Sequence, residues 1–301
     1  MVSFEQDLDS ARAGRGFFRR VLHGPAATVA KREAVVVACA SGKGGTGKSF
    51  LATNLAIGLH QRGLRTVVVD CDFGLANAHL LLGEAPPYSM QHLLCGEQTV
   101  SEVLAETEYG PSLIAGGSGI VSLAELGAKH MQMLASAMDH LAQCFDVILI
   151  DGAAGLAPQS MITVLSAQHV VMVTNPEIAA LTDAYAVIKC VSRQVERPEV
   201  HLAVNRVPEL ALGAATFDRM SDVSRRFAGM SIHYLGAVPE DPSVSQRRLG
   251  RPPMIAEEPE CETSMALGRL VSRLEARVRA SGALLVEHGV AARMSAQILR
   301  W

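Results

Sequence analysis

A run of β-branched and small residues that breaks directly into glycines, and then into a helix-forming stretch, narrows the possible folds of this chain more than any other feature. The run is VVVACA from Val35 to Ala40, the break is Gly42-Lys43-Gly44-Gly45-Thr46-Gly47-Lys48-Ser49, and Phe50 leads into LATNLAIGL. Residue pattern and strand-then-helix context together meet the requirements of a phosphate-binding loop. Glycines let backbone N–H groups turn inward onto phosphate oxygens without Cβ clashes, and the following helix adds the positive end of its dipole. Lys48 is expected to neutralise the terminal phosphates of a nucleotide, and the Ser49 hydroxyl to ligate Mg²⁺. A Gly-rich structural turn is the competing reading.

The same alternation recurs downstream. Apolar, β-branched runs at Ala34 to Ala40, Thr66 to Asp70, Phe145 to Asp151, Val170 to Thr174, Val200 to Asn205 and Ile232 to Val238 are each followed by a helical-looking stretch. Such βαβ spacing predicts an α/β fold, a mainly parallel twisted sheet with helices on both faces. Leu181, Tyr185, Ile188, Ser192 and Val195 repeat at helical spacing and predict a connector helix with one core-facing stripe. With no internal repeat or low-complexity linker, a single domain over residues 33–280 is expected. Residues 1–32, polar and basic toward their end, are expected to form a flexible arm. Residues 281–301 are expected to form a final amphipathic helix with Val290, Met294, Ile298 and Trp301 on one face, which either docks on the domain or targets a membrane interface.

Bulk properties exclude several classes. The chain has 301 residues, 49% hydrophobic and 19% charged, with a formal net charge of −3, a balance that needs no staple and demands no nucleic acid. Two arginine clusters, Arg225 with Arg226 and Arg247, Arg248 with Arg251, read first as solvated surface. The six cysteines form no C-x-x-C pair and read as buried thiols of a reducing cytosol. No run of about 18 apolar residues exists to span a bilayer. A cytoplasmic protein, with reversible association with the inner face of the cell membrane or a cell pole, is expected.

Three further strand ends carry chemistry. Asp70-Cys71-Asp72-Phe73-Gly74-Leu75-Ala76-Asn77 places an acidic pair at the carboxyl end of a parallel strand, where open α/β sheets bind ligands and where both carboxylates can face phosphates. Capping of the next helix is the alternative for Asp70. Asp151-Gly152-Ala153-Ala154-Gly155 ends a buried strand in small residues that permit a mobile turn, and Asp151 is expected to hold Mg²⁺ through a water, a helix cap being its alternative. Asn205-Arg206 and Val238-Pro239-Glu240-Asp241 end two later strands, and turn formation alone would also explain Pro239 and Asp241.

Only five lysines stand against 22 arginines, and two of the five, Lys43 and Lys48, share this one loop. Lysine chosen twice in an arginine-favouring chain points to point-charge contacts with phosphate. Lys43 directly after the first glycine is the deviant-Walker signature, and here the chain resembles the MinD/ParA family of dimeric ATPases. That resemblance implies ATP and Mg²⁺ as ligands and a homodimer in the ATP state, with Lys43 reaching across to the partner's nucleotide. It implies that Asp72 positions the attacking water within a first switch that runs to Asn77, beside a second switch from Asp151 to Gly155. Ser49, Asp72 and Asp151 are the metal-facing set. Asn205 and Arg206 are expected beside the adenine edge, and Pro239 and Glu240 packed on the base. Phe50 stands where the family has a small or polar residue, leaving its backbone N–H for the α-phosphate.

Within that family DFGLANAHLLLG from 72 to 83, AGGSGI from 115 to 120 and NPEIAALTDAYAVIK from 175 to 189 are similar to the FlhG branch, the flagellar-number regulators. This implies a slow, dimer-dependent switch ATPase working with an FlhF-like GTPase and with flagellar switch or transcription-activator proteins. The N-terminal arm carries Glu5-Gln6-Asp7-Leu8 in place of that branch's D-Q-A-x-x-L-R element. A ParA/MinD-like positioning ATPase acting on DNA or another cargo is the alternative. An iron-protein-type metal-cluster carrier would need cysteine thiolates at the dimer face.

Overall fold

The computed structural model describes residues 33–117, 127–194, 197–246, 251–282 and 289–299. The expected arm at 1–32, the end of the AGGSGI stretch, Val195, Arg247, Arg248 and Trp301 lie outside them.

An eight-stranded sheet in the order β3-β4-β2-β5-β1-β6-β7-β8 forms the middle layer. Its strands are β1 (Val35–Ala40), β2 (Thr66–Cys71), β3 (Leu104–Glu106), β4 (Ser112–Ile114), β5 (Val147–Gly152), β6 (His169–Thr174), β7 (Glu199–Val207) and β8 (His233–Pro239). All neighbours pair parallel except β3, which lies antiparallel on β4. The six expected strands are present, and the β3–β4 hairpin is an addition. At three residues each, its strands are too short to show a period.

Helices cover both faces: α1 (Lys48–Gln61), α2 (Ala78–Leu81), α3 (Met90–Leu94), α4 (Val100–Val103), α5 (Ala128–Cys144), α6 (Pro158–Ser166), α7 (Ile178–Ser192), α8 (Leu210–Ala228), α9 (Pro242–Ser245), α10 (Met254–Glu257), α11 (Glu262–Gly282) and α12 (Val290–Ile298). The two-residue period of β1 splits the core between them. Val35, Val37 and Cys39 face Leu51 and Leu55 of α1 and Leu270 of α11, whereas Val36, Ala38 and Ala40 join Leu134 and Met138 of α5 and Met161 of α6. With both sides covered, every β1 residue is buried, which is why the strand reads as an unbroken apolar run. Helix α1 is buried from Leu51 to Leu59 because it lies between the sheet and α10 and α11. A Cβ on Gly58 would meet Val271 at 2.5 Å, so glycine sets that spacing.

Two expectations change and one is decided. The core-facing stripe of α7 is Ala180, Ala184, Val187, Ile188 and Val191, with Leu181 and Tyr185 only partly buried. The periodicity is right but its phase is rotated, because alanines take the positions nearest the sheet. The final helix takes the first of its two expected places: the chain from Glu33 onward clusters as one compact unit, and α12 packs on α5 and α6 with Val290 and Met294 buried. The apolar face available for a membrane is thus used within the domain. Of the six cysteines, Cys39 and Cys71 are buried, Cys144, Cys190 and Cys261 are half-buried and Cys95 is exposed.

Candidate nucleotide site

The carboxyl ends of β1, β2 and β5 converge on one cleft. The loop from Ser41 to Gly47 joins β1 to α1, and Gly47, the residue before the helix, is left-handed at φ 86°. A Cβ there would also lie 2.1 Å from Asn205 Nδ2, so both conformation and space require glycine. Gly42 is required by close approach alone, since a Cβ would lie 2.2 Å from the backbone carbonyl carbon of Asp183 in α7. Gly44 and Gly45, by contrast, have nothing within 4 Å of a Cβ position, so this stretch of backbone faces open space. That is the geometry a phosphate cradle needs.

Inside the loop, Lys48 Nζ donates to Asp151 Oδ1 at 2.5 Å and lies 3.4 Å from Ser49 Oγ. Asp151 is fully buried and its Oδ2 has no hydrogen-bond partner among the described residues; Thr46 Oγ1 is similarly buried and unpartnered among them. Burial pushes the Asp151 carboxyl up, and the Lys48 ammonium pulls it back. Asp70, its in-register neighbour on β2, is pushed up to about 7 by burial and by the Asp151 charge. A buried, unmatched carboxylate oxygen beside the Ser49 hydroxyl is a hard oxygen set of the kind Mg²⁺ takes, and the loop backbone offers N–H donors to phosphate. The residues therefore fit a Mg²⁺–nucleotide, with Lys48 the cation that must exchange partners when one binds. The bound ion would screen phosphate charge.

Asp70 and Asp72 do not both face the phosphates. Asp70 is 0% exposed and accepts from the backbone N–H groups of Asp72 at 3.0 Å and Ala78 at 3.1 Å. It braces the turn after β2 and accepts the first N–H of α2, close to the competing helix-capping role. Asp72 is half-buried, accepts from the Leu75 N–H at 3.1 Å and lines the phosphate-side cleft of about 380 Å³ with Gly44 to Phe50, Asn77 and Ala154. Asn77 is exposed and donates to the Leu75 carbonyl. Gly155, at φ 88°, donates its N–H to the Ser41 carbonyl at 2.9 Å, so the second switch hangs on the phosphate loop itself.

A second cleft of about 360 Å³ adjoins the first, lined by Gly45, Gly47, Phe50, Asn205, Arg206, Pro239 and Glu240. The expected base-side residues thus come together, and Phe50 forms a wall of both clefts. Asn205 differs from expectation in one respect: its amide nitrogen donates to the Thr46 carbonyl at 2.9 Å, bracing the phosphate loop instead of pointing at a base edge. Arg206 is the sole non-glycine with positive φ (57°) among the described residues, at a register shift of β7, and its guanidinium reaches Glu240 at 3.4 Å. Val238 and Val244 line the cleft too. Asp241 caps α9 by accepting from the Ser243 N–H, and also accepts from Thr263 Oγ1.

Lys43, unlike Lys48, lines neither cleft. Its ammonium, one-third exposed, pairs with Glu177 Oε2 at 2.9 Å, and Glu177 precedes α7. That partner was missed in the sequence, although it lies within the quoted NPEIAALTDAYAVIK stretch; only the fold brings the loop and α7 together. The expected trans role of Lys43 fits this placement. Leu75, Leu156 and Ile178 are exposed at 76%, 45% and 84%, large apolar side chains that follow Asp72, Gly155 and Glu177 in the chain.

Residues 34–204 match the model of the AAA domain family. The chain is 36% identical to the flagellum site-determining protein YlxH of Helicobacter pylori, over 70% of this chain and 71% of that one. It is 29% identical to the antiactivator FleN of Pseudomonas aeruginosa, over 80% and 86%. Among solved structures, the cell division ATPase MinD of Pyrococcus furiosus superposes with a TM-score of 0.67 at 27% identity, covering 81% of this chain and 99% of that one. MinD of Pyrococcus horikoshii, solved in complex with Mg-ADP, superposes equally well at 25% identity, covering 84% and 100%. On these likenesses, and with a phosphate loop and acidic strand ends in this arrangement, the chain belongs to the MinD/ParA family of AAA-domain ATPases, on the branch of the flagellar regulators YlxH and FleN.

Proposed function

We propose that the protein is an ATP- and Mg²⁺-dependent switch ATPase that dimerises around nucleotide and sets the number or placement of flagella. The single observation that carries the dimer is the placement of Lys43. A lysine of the phosphate loop that lines neither cleft and pairs with Glu177 at 2.9 Å supports a role at a second copy's nucleotide, and the exposed Leu75, Leu156 and Ile178 offer apolar surface for that copy to cover. In this reading Lys48 and the loop backbone hold the phosphates, Ser49 and Asp151 hold the ion, and Asp72 orients the attacking water. Asn77 and Gly155 move with the switches. Asn205, Arg206, Pro239, Glu240 and Phe50 enclose the base. Catalysis is a matter of positioning and charge stabilisation, and turnover is slow because the site that supplies them is complete only in the dimer.

The flagellar role rests on the likeness to YlxH and FleN, and an FlhF-like GTPase and a flagellar switch or transcription-activator protein are the proposed partners. Peripheral membrane contact through α12 would require Val290 and Met294 to leave their seat on α5 and α6; co-flotation with anionic vesicles in ATP but not ADP is the measurement for it. The central test is the molar mass, by light scattering, of an Asp72→Ala variant loaded with ATP and Mg²⁺. A dimer with ATP and a monomer with ADP is expected. A sample that stays monomeric at high concentration with ATP bound would remove the proposal.

A further inference from the structure

Among the described residues, one group of side chains with metal-ligand chemistry lies outside the nucleotide site. It sits at the amino ends of β6, β7 and β8, the edge of the sheet opposite the phosphate loop. Register assembles it. His169 pairs with Glu199 across β6 and β7, and His201 pairs with His233 across β7 and β8. Glu199 and His201 are two apart on one strand and so share a face. The carboxyl end of α11 lies beside them, bringing Ser281 and Arg277.

The ligand atoms converge. His169 Nδ1 and His201 Nε2 are 3.1 Å apart. Glu199 Oε2 lies 3.8 Å from the first, 3.7 Å from the second and 4.0 Å from His233 Nε2. Ligand atoms of a tetrahedral zinc ion, at bonds of 2.0–2.1 Å, stand about 3.3 Å apart. The two imidazoles already meet that spacing and are each 1% exposed, held by the fold. Glu199, which must close in by less than about 1 Å, and His233, which must travel farther to join the other three, are the half-exposed members at 49% and 40% side-chain exposure. They also provide the entry path.

Two facing ring nitrogens must either share a proton or both donate lone pairs to a cation. The other nitrogen of His169 lies 2.8 Å from Ser281 Oγ, the outer hydrogen bond that orients a metal-bound imidazole. Arg277, 3.8 Å from Glu199 and 47% exposed, is the charge an incoming ion would displace toward solvent. Imidazoles with one carboxylate suit zinc and its neighbours better than Mg²⁺ or Ca²⁺.

We propose that His169, His201 and Glu199, with His233 as fourth ligand, form a zinc-type transition-metal site that ties the amino ends of β6, β7 and β8 to the end of α11. The site is independent of the nucleotide chemistry. The test uses the full chain, chelator-stripped and nucleotide-free, titrated with Co²⁺ and, by competition with a chromogenic chelator, with Zn²⁺. One ion per chain is expected, with the intense visible absorption of four-coordinate Co²⁺, unchanged by Asp151→Asn. Ser281→Ala should weaken binding on the order of tenfold, Glu199→Gln and His233→Ala by more, and His201→Gln should abolish it. Zn²⁺ should raise the melting temperature of the wild type but not of Glu199→Gln. The two variants at half-exposed positions keep the test sharp if His201→Gln fails to fold. Absence of stoichiometric binding, a thiolate-to-cobalt charge-transfer band, or affinities unmoved in Glu199→Gln and His233→Ala would overturn the proposal.

Discussion

The two edges of one sheet are built on different principles. At the carboxyl edge the functional groups are backbone N–H donors, one buried lysine and carboxylates at strand tips, and most belong to a contiguous loop. At the amino edge three histidines and a glutamate come from three strands and are neighbours only through register. The first edge is a local motif placed by the fold; the second is made by the fold. The lesson is that a site's chemistry can be strong at both edges while its trace in the sequence is strong at only one.

The largest expected effect is on the carboxyl edge alone. Lys48→Ala should reduce nucleotide affinity and turnover on the order of 10²–10³-fold, measured by fluorescent-nucleotide titration and phosphate release, while Co²⁺ binding at the amino edge stays as in the wild type. A loss at both edges would break the claim that they are independent. Gly42→Ala comes next. Its Cβ would overlap the Asp183 backbone, which cannot turn aside as a side chain can, so a loss of about 1–3 kcal/mol is expected. Melting should fall by roughly 2–4 °C per kcal/mol, and Gly44→Ala, with open space at its Cβ, should not share the effect.

Glu177→Gln should act more gently. Releasing Lys43 from its exposed partner should let ATP-driven dimers form at protein concentrations lower by a few-fold at most, read by analytical ultracentrifugation. An unchanged or weaker dimer would show that Glu177 presents Lys43 and does not restrain it. The smallest effect is a pH slope. Because Asp70 titrates near 7 in the folded chain, above its unfolded value, the native state holds the extra proton between about pH 4 and 7. Its contribution to stability is complete below that window and is lost as pH rises through it. Melting curves from pH 4.5 to 7.5 should therefore fall more steeply toward high pH in the wild type than in Asp70→Asn. Equal slopes would place the proton elsewhere in the Asp70–Asp151 pair.

The fold was legible because burial on both faces writes parallel strands as unbroken apolar runs, as in VVVACA and VILI. The β3–β4 hairpin left no such trace, since three residues cannot display a period. The phosphate loop was legible because glycine is demanded there by backbone geometry, which is local. Glu177 and the bracing role of Asn205 were not, since each depends on which distant segment the loop meets. Asp70 shows a third case: its residue type and position were read correctly, but a carboxylate at a strand tip can turn to a ligand or to its own chain, and only the surrounding N–H groups decide. The same limit hid the phase of α7, where alanines, weak signals of burial, occupy the positions closest to the sheet.

The Lys48–Asp151 contact makes the resting molecule its own surrogate ligand. A tethered ammonium already holds one oxygen of the carboxylate that magnesium would seek, so a free ion meets a site half claimed. A polyphosphate can draw that ammonium off, and only then does the carboxylate become hungry for a cation. Nucleotide and metal would thereby be read in sequence, the first releasing the catch and the second taking the freed carboxylate.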